Sequence, residues 1–163
     1  MSVQVLELED SQNTYLSFHV GDELMAAKIL SVREVLEPFE IYPIANTINC
    51  FRGIINVRGE VIGVLDLRMK FGVTAEDHRE MRYLVHESDQ GPVAFIVDKV
   101  VSVVEIKDEK IDLNVRIRNA QKMDYFKGIA RVNEQLMTVV ELNSIFDSDG
   151  MLEIQKSVKQ NAS

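Results

Sequence analysis

Residues 51–72, FRGIINVRGEVIGVLDLRMKFG, read as two apolar strands joined at Arg58-Gly59, then one short helical turn closed by Gly72. Ile55 and Val57 fall on one strand face, and Asn56 and Arg58 on the other. Val61, Gly63, Leu65 and Leu67 carry the alternation past the turn. Gly59 tolerates the positive φ of a tight hairpin. Asp66 stands where a helix cap belongs, and Leu67 and Phe71 are spaced i, i+4. The stretch therefore predicts a β-hairpin with a helical plug, and it leaves an arginine at the tip.

The same pattern recurs. Residues 126–146, FKGIARVNEQLMTVVELNSIF, match 51–71 without a gap. Phe51 meets Phe126, Gly53 meets Gly128, Val57 meets Val132 and Leu67 meets Leu142. Arg52/Lys127 and Asp66/Glu141 keep their charge sign. Upstream, YLSFHVGDELMAAKILSVREVLE (15–37) overlays YLVHESDQGPVAFIVDKVVSVVE (83–105). The chain thus holds two copies of one unit, too few for a solenoid, which needs about three repeats. The expected arrangement is two similar lobes. Each would be about five short strands of one repeat closing on themselves into a small barrel, which removes exposed sheet edges.

The repeats run over about 14–72 and 82–147 within one domain, 14–147, followed by a helix and tail at 148–163. KILSVREVLEP reads as one helical turn and then a strand, stopped by Pro38. Polar residues 72–81 link the repeats, and 107–125 is long and polar for a loop. In the tail, Met151, Ile154 and Val158 share one helical face.

Composition excludes several classes. The 163 residues are 46% hydrophobic and carry a net charge of −8, from 18 basic and 26 acidic side chains. No basic stripe of the kind nucleic acid requires is present; VRIRNAQK is the nearest, and acids flank it. No apolar run approaches the roughly 18 residues of a membrane span. MSVQVLELEDSQN lacks the basic start of a signal peptide, so a cytoplasmic location is expected. The single cysteine, Cys50, has no intrachain disulfide partner and sits in an apolar setting, where a buried inert thiol is expected. His19, His78 and His86 lack ligand spacing, so no metal and no cofactor are expected. No phosphate loop, nucleophile elbow or dinucleotide fingerprint occurs. Nothing points to catalysis.

The residues as a set resemble the signature of CheW-type coupling proteins of bacterial chemotaxis. The resemblance lies in Gly53, Asn56-Val57-Arg58-Gly59, Asp66-Leu67-Arg68 and Phe71-Gly72. YLSFHVGDELMA, ILSVREVLEP, FIVDKVVSVVEI and YFKGIARVNEQLMTVVEL extend it, in order, over about 14–147. It implies an all-β fold of two SH3-like five-stranded barrels. It implies a noncatalytic, cofactor-free adaptor linking the histidine kinase CheA, through its regulatory domain, to the cytoplasmic tips of transmembrane chemoreceptors. By that likeness Val32, Glu34, Gly53, Arg58 and Val103 contact the receptor, with Glu34 holding Arg58 in place.

Plainer readings stay open. Arg58 is also explained as a solvated turn residue paired with Glu60, Glu34 as an ordinary exposed strand charge, Val32 and Val103 as core, and Gly53 as a site of close backbone approach. If 112–119 is extended, Asp112, Arg116 and Arg118 share a face, opposite Ile117. That strip is a candidate second contact to a kinase regulatory domain or another CheW-like adaptor. The alternatives to a swimming-chemotaxis adaptor are one serving surface motility or pili, or a small-barrel nucleic-acid module.

Overall fold

The computed structural model describes residues 12–45, 48–114, 124–146 and 148–161. The first repeat opens with a hairpin, β1 (Thr14–Val20) and β2 (Glu23–Lys28). A 3₁₀ turn at Ile29–Ser31 then leads into β3 (Glu34–Leu36), the expected turn and strand. The opening motif folds as β4 (Phe51–Val57), β5 (Glu60–Asp66) and α1 (Leu67–Lys70). The second repeat supplies β6 (Arg82–Ser88), β7 (Gly91–Val97), β8 (Lys99–Glu105), β9 (Ile111–Asp112), β10 (Phe126–Val132) and β11 (Gln135–Val140). Helix α2 (Ser148–Asn161) follows.

The chain is all-β, in two sheets, as expected, but the repeats do not each build their own. One sheet runs β8-β1-β2-β11-β10-β9 and the other β3-β6-β7-β5-β4. Each repeat lends its first hairpin to the other repeat's later strands. Hairpin β1–β2 pairs with β8 (antiparallel) and β11 (parallel). Hairpin β6–β7 pairs with β3 (antiparallel) and β5 (parallel). The reason is local. Only Asp98 separates β7 from β8, and a hairpin turn needs about two residues. Strand β8 therefore cannot fold back on β7 and crosses to the other sheet. The 3₁₀ turn at 29–31 sends β3 across in the same way.

Each sheet is then drawn together by the chain that follows its first edge strand. Beyond β3, Tyr42 exchanges backbone hydrogen bonds with Ile54 of β4 at 2.8 and 3.0 Å. Beyond β8, the chain reaches β10 through β9. The matched glycines sit at these two crossings. Gly53 and Gly128 both have φ of 139°. A Cβ on Gly53 would strike the Tyr42 carbonyl oxygen, and one on Gly128 would lie 2.6 Å from the Asp112 oxygen. Their recurrence records a backbone crossing that no side chain can share.

Burial explains the unbroken apolar runs. In β7, Val93, Phe95 and Val97 join the core between the sheets, while Ala94 and Ile96 join the core of the five-stranded sheet. Both faces are covered, so strict alternation is lost. Tyr15, Ala26, Ala130 and Val139 fill the other sheet. Met151, Ile154 and Val158 of α2 bury together against Phe51 and Leu65, as the helical spacing predicts. Gly63 makes room for that helix: a Cβ there would lie 3.0 Å from Ile154 and 3.2 Å from Val158.

Gly53→Ala and Gly128→Ala should each cost about 3 kcal/mol or more, combining a strained φ with a backbone clash. Gly59→Ala, also at positive φ but with nothing within 4 Å of the added Cβ, should cost about 1 kcal/mol. Urea unfolding midpoints would check the ranking, and equal losses would remove the crossing argument.

Candidate functional site

The β4–β5 hairpin turns on Arg58 and Gly59, with φ of 51° and 87°. Positive φ at both central residues is the type I′ pattern that matches strand twist. Asn56 Oδ1 accepts a hydrogen bond from the Gly59 amide at 2.9 Å, which fixes the turn. A left-handed arginine costs roughly 1 kcal/mol, so the tip is set by geometry rather than by preference.

The Arg58 guanidinium donates to Glu34 Oε2 at 2.7 Å. Glu34 lies on β3, the opposite edge of the sheet, so the sheet rolls far enough for its first strand to meet the hairpin. The Arg58 side chain is 68% exposed and that of Glu34 only 13%. Glu34 thus acts as a largely sunken anchor that leaves the arginine presented. Glu60 does not pair with Arg58. It accepts from Arg33 at 2.6 Å, and Arg33 also reaches Glu87 at 3.1 Å. The result is a mixed-charge cluster, with Arg33 raised above its usual pKa mainly by its hydrogen bond to Glu60.

The other expected contact residues are dispersed. Val32 is buried in the core between the sheets. Gly53 is buried beneath Tyr42. Val103 is 46% exposed on β8 of the other sheet, beside Val101, in a stripe bounded by Lys99 and Glu105. Asp112 is exposed, and its carboxylate accepts from the Asn114 amide at 2.9 Å. Arg116, Ile117 and Arg118 lie outside the described residues.

A buried ionic network sits at the other end of the motif, and the sequence reading did not single it out. Asp66 caps α1 as expected, accepting from the Arg68 amide at 3.0 Å. It also takes two bonds from the Arg68 guanidinium, at 2.9 and 3.0 Å, and one from Arg52 at 3.0 Å. Asp66 and Arg68 are both fully buried. Arg68 reaches on to the Glu76 carbonyl at 2.7 Å, Asp77 at 3.1 Å and Asp98 at 3.3 Å. Asp98 accepts from the Gly21 amide at 2.6 Å and lies 3.0 Å from His78 Nε2. Burial alone would lower the Arg68 pKa, but these carboxylates raise it. Asp77 is held below its usual value, chiefly by Arg52 and also by Arg68. Burial pushes Asp98 up, but the Gly21 amide, His78 and Arg68 outweigh it and leave it lowered. In the second repeat, Lys127 and Glu141 keep the exposed version of the Arg52–Asp66 pair, 3.0 Å apart.

The CheW-like domain family matches residues 14–150. The chain belongs to the CheW-like family. It is 30% identical over 145 residues to the chemotaxis protein CheW of Helicobacter pylori, covering 86% of this chain and 87% of that one. It is 26% identical over 163 residues to CheW of Klebsiella aerogenes, covering 98% and 97%. The structure of the scaffolding protein TtCheW from Thermoanaerobacter tengcongensis superposes with a TM-score of 0.73 at 28% identity, covering 85% and 94%. The chain is a noncatalytic adaptor of chemotaxis signalling.

Among the described residues, no group of three or more His, Cys, Asp or Glu could hold a metal. Burial raises the Cys50 thiol pKa, so it is a poor nucleophile. No helix among them is long and apolar enough to cross a membrane. A second surface is a groove of about 610 Å³ on the six-stranded sheet. It is floored by Tyr15 and Val139 and flanked by Leu30 and Leu113, which are 63% and 72% exposed. Leu30 reads in sequence as one more apolar residue of a turn, so only the fold reveals the groove.

Because Asp77 and Asp98 are depressed in the fold, their contribution is full above the unfolded carboxylate pKa of about 3.9 and is lost as pH falls through the folded values. Urea unfolding should therefore show a fall in stability below about pH 4. Arg68→Met should cost about 3–5 kcal/mol at pH 7, by taking the buried guanidinium from Asp66 and leaving it only the partly exposed Arg52. It should also flatten the acid dependence. An Arg68→Met variant as stable as the parent would show that the network is not structural.

Proposed function

We propose that this adaptor bridges the cytoplasmic tips of transmembrane chemoreceptors to the regulatory domain of the histidine kinase CheA. The carrying observation is the Glu34–Arg58 pair. An exposed guanidinium is held at 2.7 Å by a largely sunken carboxylate, on a turn fixed by its own backbone. Such a group is preorganised, so little side-chain freedom is lost when a partner docks. Its planar donors suit a carboxylate or the carbonyls at the end of a helix. A receptor tip, as a helical hairpin, would supply both, laid into a groove with Val103 as an apolar contact. Val32 and Gly53 would serve that surface from beneath, by setting the path of β3 and of the crossing at Tyr42.

A bridge needs two faces. The apolar groove flanked by Leu30 and Leu113 is on the six-stranded sheet, and the Arg58 cluster is on the five-stranded one. In this reading the groove takes the kinase. The adaptor works in the cytoplasm and is recruited to membrane-bound receptor arrays.

Arg58→Glu should weaken binding to a receptor-tip hairpin by at least about tenfold, roughly 1.4 kcal/mol, with an unchanged circular dichroism spectrum. Leu30→Asp should spare that binding and reduce affinity for the kinase regulatory domain by a similar factor. Titration calorimetry against each partner would separate the two. Added to kinase and receptor, the parent protein should change kinase autophosphorylation severalfold, and no change in that reconstitution would sink the bridging role.

A further inference from the structure

Apart from the hairpins and the short β9–β10 pairing, every ladder among the described residues joins one repeat to the other. β1 pairs with β8, β2 with β11, β3 with β6 and β5 with β7. Neither repeat completes a sheet alone. The covalent link between them is the nine-residue segment 73–81, VTAEDHREM. Nothing in the ladders requires both repeats to belong to one chain.

That segment is pinned at several points by the buried network. The Val73 amide donates to the Arg68 carbonyl at 2.9 Å. Arg68 holds the Glu76 carbonyl at 2.7 Å and Asp77 at 3.1 Å, and Arg52 holds Asp77 at 3.3 Å. His78 meets Asp98 at 3.0 Å, one residue before β8 leaves for the other sheet. The linker is therefore fastened at the place where the repeats must be told apart.

We infer that the chain exchanges halves with a second copy of itself, and that the Arg68 network is the latch holding it closed. In the exchanged dimer, repeat one of each copy builds both sheets with repeat two of the other. The same ladders form in both states, so the balance lies in the tether. Nine residues span at most about 30 Å. A short flexible link gives an effective concentration of order millimolar. At micromolar protein the closed monomer wins while the link can span the repeats. A link too short to span, or one freed from its latch, moves the balance toward exchange. An exchanged dimer carries every surface twice on one rigid frame. Its value as a bivalent bridge rests on the adaptor reading; its existence does not.

The test uses the full chain and no partner protein. Thr14 and Glu105 are opposed at one end of the β1–β8 ladder. Thr14→Cys and Glu105→Cys are placed on separate chains, each with Cys50→Ser. In a first arm both chains lack Thr74–Arg79, which leaves Val73, Glu80 and Met81 as the link. The mixture should elute at twice the monomer mass, and oxidation should join unlike chains. In a second arm, full-length chains are unfolded in urea and refolded together at high concentration. A disulfide-joined fraction should form, and Asp77→Asn should raise it at least about threefold by loosening the latch. If the shortened chains fail to fold, the second arm decides. Absence of any disulfide between unlike chains, or a shortened chain that stays monomeric, overturns the exchange. A joined fraction that Asp77→Asn leaves unchanged overturns the latch.

Discussion

The contact between Asp66 and Arg68 holds together parts of the chain that have no other reason to meet. Both groups are fully buried. Such a pair persists only if nearly every donor and acceptor is used, because stripping water from two charges costs several kcal/mol per ion. Here the donors are used on the start of α1, the Glu76 carbonyl, Asp77 and Asp98, while Asp66 takes a further bond from Arg52 on β4. Asp98 extends the reach to the β1–β2 turn through Gly21. One buried guanidinium thereby registers both sheets and the segment between the repeats. The second repeat has Asn143 in the matching place, and its ion pair is exposed. The molecule is symmetric in its strands and asymmetric in its anchor.

The proposed receptor surface depends on similar stiffness. An arginine at a hairpin tip is ordinarily a mobile charge, and exposed pairs contribute little to stability. The type I′ turn, the Asn56 bond and the sunken Glu34 remove much of that mobility. In the mixed cluster of Arg33, Glu34, Arg58, Glu60 and Glu87, Arg33 is occupied by Glu60 and Glu87 and also lies 3.6 Å from Glu34, which leaves Arg58 the more exposed arginine.

Much of this was legible in the residues. The hairpin at Arg58-Gly59, the Asp66 cap, the turn before β3 and the buried face of α2 all follow from local spacing. The Glu34–Arg58 pair followed from the family likeness. What escaped was long-range. A repeat in sequence says that two units share a local design; it does not say which strands pair between them. The lone Asp98 between β7 and β8 was the available signal, because it leaves no room for a turn. Arg68 stands in the sequence only as part of the signature after the hairpin, and the carboxylates that close around it come from distant positions. Val32 and Gly53 were legible as important, but their burial shows that the fold uses them directly. The apolar groove draws on β1, β9 and β11 at once, which no local window contains.

The exchanged hairpins also order events during synthesis. Every strand of the five-stranded sheet exists once the ribosome has passed Val97, because β3, β4, β5, β6 and β7 lie within residues 34–97. The other sheet waits for β11, which ends at Val140. β1 and β2, made first, have neither outer partner until β8 ends at Glu105, and β2 waits further for β11, so Leu16, Phe18 and Met25 lack part of their cover. The earliest strands of the chain are therefore among the last to be completed. The nascent protein carries an open apolar hairpin through most of its translation, the condition in which chaperones are most needed.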